Sequence, residues 1–82
     1  MLTYSAKEIK AAILKWSPAQ VDFTTDEFEQ IKWEMILTDC FDHKGWLEER
    51  VFLRAMKQLC WEMIFAKYID LETNKEHFIR IN

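Results

Sequence analysis

Residues 47–69 read LEERVFLRAMKQLCWEMIFAKYI, and the spacing of their apolar side chains sets the fold expected of the chain. Wound at about 100° per residue, Phe52, Leu53, Met56, Leu59, Cys60, Met63 and Ile64 share one broad stripe. That spacing predicts a long amphipathic helix, helix 3, with this stripe against a core. Arg50, Arg54, Lys57 and Gln58 lie nearly opposite, as a solvated face does, but the same line runs on through Trp61, Phe65 and Tyr68. Three aromatic side chains of about 150–250 Å² each exceed the contiguous apolar area a monomer ordinarily leaves bare. Either the rest of the chain covers them, or Trp61, Phe65 and Tyr68 are interface anchors with Arg54 and Lys57 on their rim.

Upstream of this stretch stands Gly45, the only glycine, just after His43 and Lys44. A left-handed residue there closes a preceding helix. Helix 2 is therefore expected over about 25–43, opened by Thr24 with Glu27 as a capping box, with Asp26, Glu27 and Glu29 where the helix dipole favours negative charge. So short a link to helix 3 predicts an antiparallel helical hairpin. Helix 2 also has two apolar sides, Trp33, Ile36, Leu37 and Cys40 on one and Phe28, Ile31 and Met35 on the other, which implies two neighbours.

Further upstream, Ser5 with Glu8 forms a capping box for helix 1, about 6–16, whose Ala6, Ile9, Ala12, Ile13 and Trp16 make one stripe. Ser17-Pro18 ends it, because a residue before proline is pushed out of the α region. Downstream of Asp70 a polar run reads as a turn, and residues 75–82 form a short element whose reading as strand, last helical turn or packed tail stays open. The expectation is an all-α bundle of three principal helices in a single domain, 1–82.

Half of the 82 residues are hydrophobic and 15% aromatic, with one Gly and one Pro, so the composition is that of a folding chain rather than a disordered one. Eleven basic against 14 acidic side chains leave a net charge of −3, too little positive field to gather phosphates, and nucleic-acid binding is disfavoured. No apolar window approaches the roughly 18 residues of a membrane span, and the N-terminal residues lack the apolar run of a signal peptide. A cytoplasmic protein is expected. Cys40 and Cys60 read as reduced, buried thiols.

A zinc site can be written from Cys40 and His43, one helical turn apart, with Cys60 and His77, but Cys60 faces the expected core, so no metal and no cofactor are expected. Residues 37–57 can be laid out as a DNA-binding helix-turn-helix around Gly45, although Phe41 stands where a small residue is usual and Glu48 and Glu49 would meet phosphate. Two histidines and scattered acids without a glycine loop offer no catalytic constellation, so an enzyme is not expected. What remains is a non-enzymatic protein–protein interaction module, a homodimer through the aromatic face of helix 3. The alternative is a small acidic inhibitor or adaptor. Residues 22–42 hold Asp22, Asp26, Glu27, Glu29, Glu34, Asp39 and Asp42 against one lysine, so helix 2 could dock on a basic partner through Glu27, Glu29 and Glu34. A compact acidic domain of this kind suits a phage or plasmid accessory protein.

Overall fold

The computed structural model describes residues 2–82. In chain order it contains α1 (Ala6–Trp16), β1 (Asp22–Thr24), α2 (Gln30–Phe41), α3 (Glu49–Trp61), β2 (Phe65–Asp70) and β3 (Lys75–Arg80). The fold is therefore mixed α/β and not an all-α bundle. The three strands form one antiparallel sheet in the order β1-β3-β2, with the helices gathered on one face, a two-layer arrangement.

The largest departure from the sequence reading falls in residues 62–82. The helix expected to run to residue 69 stops at Trp61, where Met63 adopts a left-handed φ of 62°. The chain then enters β2, turns at Leu71–Asn74 with Asn74 at φ 58°, and returns as β3. The element expected at 75–82 is thus the central strand of the sheet over 75–80. Phe65–Asp70 carries two aromatics and an isoleucine in six residues, a composition that suits a pleated surface. Its short apolar run fits either period, and pairing with β3 and β1 decides for the strand.

At the other end of the sheet, Thr24 does not cap helix 2. Phe23 and Thr24 pair with Phe78 and His77, the Thr24 hydroxyl accepts the Asp26 N–H in a local turn, and α2 begins only at Gln30. It ends at Phe41 because Asp42 takes the left-handed cap at φ 54°, ψ 30°. Gly45 has another role. A Cβ there would stand 3.0 Å from the Tyr4 ring and 3.1 Å from the Leu2 carbonyl oxygen, so its missing side chain lets residues 2–4 run alongside residues 45–46. α1 is as expected, with the reciprocal Ser5–Glu8 capping box in place. It packs closely along both α2 and α3. α2 and α3, expected to pack as a helical hairpin, instead pack on α1 far more closely than on each other, and meet through Trp33 and Phe52, whose ring centroids are 4.8 Å apart.

The register places Phe23, Phe65, Phe78 and Arg80 on the helix-facing side of the sheet and Asp22, Ala66, Tyr68, His77 and Ile79 on the outer side. Phe23 is the hub of the core: its ring centroid lies 5.5–6.1 Å from those of Trp16, Trp33, Phe65 and Phe78. This knits α1 and α2 to the sheet, and α3 joins through Phe52 against Trp33, around Ile9, Ile13, Leu37, Met56 and Leu59. Among the described residues no helix is long and apolar enough to cross a membrane.

Candidate functional site

Three of the exposed large apolar side chains gather around one groove. Ile31 is 78% exposed, Met35 64% and Trp46 48%. Together with Glu34, Thr38, Asp39, Lys44 and Gly45 they line a depression of 490 Å³. Ile31, Met35 and Asp39 follow one another at i, i+4 and i+8 on the side of α2 opposite buried Trp33 and Leu37. The second apolar stripe of α2 is therefore real, but among the described residues no element covers it. Phe28, its first member, instead turns inward onto Phe52, with centroids 5.3 Å apart.

The second wall of the groove is the 44–46 loop, which several bonds hold in place. The Trp46 N–H donates to the Leu2 carbonyl at 2.8 Å and the Tyr4 N–H donates to the Trp46 carbonyl at 3.0 Å, a parallel bridge. The Tyr4 hydroxyl donates to the His43 carbonyl at 2.7 Å. One oxygen of Glu34 accepts the Leu47 N–H and the Gln30 side-chain amide, each at 3.0 Å. Glu34 thus ties the loop to α2 directly, and bonds within the chain hold both walls of the groove, which lowers the ordering cost of filling it.

The rim is acidic. Asp39 lines the groove, Asp42 is exposed one helical turn beyond Thr38, and among the described residues neither enters an ion pair. Glu27 and Glu29 stand exposed at the N-terminal approach to α2, loosely paired with Lys75 at 3.6 Å and Lys32 at 3.9 Å. Lys44 is the one base on the lining. Of the acids expected to dock on a basic partner, Glu27 and Glu29 are exposed but already lie beside Lys75 and Lys32, and Glu34 is a positioning residue for the loop.

The aromatic line expected on helix 3 is not a single surface. Phe65 is 1% exposed, on the core side of β2; Tyr68 lies on the outer face of the sheet; only Trp61, 87% exposed, stays on α3. Trp61 does continue the exposed row of Arg50, Arg54 and Lys57 at helical spacing. The contiguity of Trp61, Phe65 and Tyr68 disappears because the helix ends between the first and the second.

Two polar clusters complete the inventory. On the outer sheet face Asp22 joins all three strands: His77 Nδ1 lies 3.0 Å from one carboxylate oxygen, the Tyr68 hydroxyl donates to the other, and the two rings stack at 5.1 Å. The bond to Asp22 holds the Tyr68 pKa above the usual tyrosine value, with smaller contributions from desolvation and the nearby acids. The arrangement orients the imidazole, as a carboxylate does in a catalytic dyad, but among the described residues no hydroxyl or thiol is bonded to His77, and its evident work is to fasten strands.

Around Cys40 and His43, whose spacing alone would allow a zinc site, the His43 ring lies tilted against Tyr4 with centroids 5.3 Å apart, with Nδ1 3.1 Å from the Phe41 carbonyl and Nε2 3.5 Å from Glu8. Its nitrogens face groups other than Cys40. Both cysteines are free and partly buried, and burial raises the Cys60 thiol pKa, partly offset by Lys67. Among the described residues no three His, Cys, Asp or Glu side chains are grouped to hold a metal ion. No protein-family model, curated protein or solved structure matches this chain.

Proposed function

We propose that the protein acts by binding rather than catalysis, as a protein–protein interaction module whose docking site is the α2 groove. One observation carries this reading: Ile31, Met35 and Trp46 are exposed together around a preformed groove of 490 Å³ with an acidic edge. Apolar side chains so exposed and so close together mark an interaction surface, and aromatic and methionine side chains are enriched at such surfaces. The acids say what fits. The partner segment presents apolar anchors at helical spacing with Lys or Arg beside them, so that Asp39, Asp42, Glu27 and Glu29 steer it while Ile31, Met35 and Trp46 bury its anchors. Two free thiols suit a reducing compartment such as the cytoplasm.

The test is a titration of the protein with an amphipathic helical peptide of leucine and lysine, against its leucine–glutamate counterpart, followed by NMR. The lysine peptide shifts the resonances of Ile31, Met35 and Trp46, Met35→Arg abolishes the shifts, and added salt weakens them. Equal binding of both peptides, or shifts centred elsewhere, would overturn the reading.

A further inference from the structure

The groove asks for a helix that carries an apolar anchor among basic side chains, and the chain itself presents one. On α3, Arg50, Arg54, Lys57 and Trp61 follow at i, i+4, i+7 and i+11, all exposed, with half-exposed Leu53 beside them. Among the described residues the three cations enter no ion pair, as is also true of Lys7, Lys15 and Lys44, whereas Lys10, Lys32, Lys67 and Lys75 each have an acidic partner. Glu49 in the first turn and Glu62 just after the helix flank the row, and Glu62 is engaged by Lys10. The molecule thus carries an acidic apolar groove on α2 and a basic apolar ridge on α3, complementary in charge and chemistry but on separate surfaces. A ridge cannot enter the groove of its own chain.

Building on the groove as docking site, we propose that its occupant is the α3 ridge of a second copy, in a head-to-tail contact. Trp61 and Leu53 of one molecule pack on Ile31, Met35 and Trp46 of the next, while Arg54 and Lys57 face Asp39 and Asp42. Lys44, the base on the rim, sits against this row and weakens the contact. Because the two surfaces differ, the contact leaves a free groove at one end and a free ridge at the other. It continues into a ring or a chain rather than stopping at a twofold dimer.

That asymmetry supplies the experiment. Met35→Arg blocks the groove and Trp61→Glu blocks the ridge; both side chains are exposed, so circular dichroism should show unchanged folds. By light scattering across a concentration series, the wild type grows in mass beyond two copies, while each variant alone stays at the monomer mass of 10.0 kDa. An equimolar mixture of the two yields a dimer that grows no further, since only one groove and one ridge remain functional. A second pair, Asp39→Lys and Arg54→Glu, also leaves each variant monomeric alone, but in the mixture the reversed groove meets the reversed ridge, so growth beyond two copies returns. A monomeric wild type, a monomeric mixture, or association that survives in either single variant overturns the proposal. The lysine-peptide titration separates the two readings. If the peptide binds the groove while the wild type stays monomeric, the groove is a docking site for another protein; if neither associates, both readings fall.

Discussion

Tyr68, Asp22 and His77 come from three different strands, and their bonding is the most specific polar arrangement on the surface. The Tyr68 hydroxyl donates to a carboxylate, so the folded chain holds its proton more tightly than the unfolded chain, where a tyrosine loses it at about 10. The resulting stabilisation is present below the unfolded value and disappears as the pH rises through the raised folded value. In Asp22→Asn the Tyr68 titration, followed by NMR of its ring, should move down toward the ordinary range. An unshifted curve would mean that the carboxylate is not its partner. The same substitution removes a joint between β1 and β3, so β1, only three residues long, should fray first in hydrogen exchange.

At the scale of elements, the ends of the helices decide most of the architecture. Ser17, buried after the last turn of α1, donates its hydroxyl to the Ile13 carbonyl at 2.6 Å. Arg80, at the end of β3, reaches over to donate to the Leu14 carbonyl at 2.9 Å, to the Ser17 hydroxyl at 3.0 Å and to the Ser17 carbonyl. A cation therefore satisfies the orphan carbonyls at the negative end of the α1 dipole and joins that helix to the central strand. Arg80→Met keeps the aliphatic stem but removes these bonds, and should cost about 1.5–3 kcal/mol. For a domain of this size each kcal/mol lowers the melting temperature by about 4–8 °C. A melting curve unchanged from wild type would show the bridge to contribute nothing.

For the molecule as a whole, Phe65 and Trp61 separate the interior from the surface. They lie four residues apart, as neighbours on a helix would, yet Phe65 packs beside Phe23 with centroids 5.9 Å apart and Trp61 points to solvent. Phe65→Ala opens a cavity where sheet meets helices and should cost about 3–5 kcal/mol, a large share of the ~5–15 kcal/mol that holds such a domain together. Trp61→Ala should stay within about 0.5 kcal/mol, its effect appearing in association instead. Chemical denaturation of the two variants measures both. A severe loss in Trp61→Ala together with a mild one in Phe65→Ala would reverse the assignment of core and surface.

What the sequence determined by itself is local. The Ser5–Glu8 capping box, the stop at Ser17-Pro18, the helical register of Arg50, Arg54, Lys57 and Trp61, and the two-sided stripes of α2 all follow from spacings within a few turns. The surplus of apolar surface on α2 was legible in Ile31 and Met35 for the same reason. Only the tertiary structure decided that residues 65–80 form a hairpin and that Phe23 and Thr24 join it as a third strand. Strand pairing joins residues more than 50 positions apart, such as Asp22 and Ile79, and a six-residue apolar run satisfies either period until its partner is present. Trp46 became part of the groove in the same way: its position depends on Gly45 admitting residues 2–4 and on Glu34 holding the Leu47 N–H. The long helix 3 was the expectation most at odds with the outcome, because Trp61, Phe65 and Tyr68 keep a helical spacing while Phe65 and Tyr68, one and four positions into the hairpin strand, fall on opposite faces of the sheet.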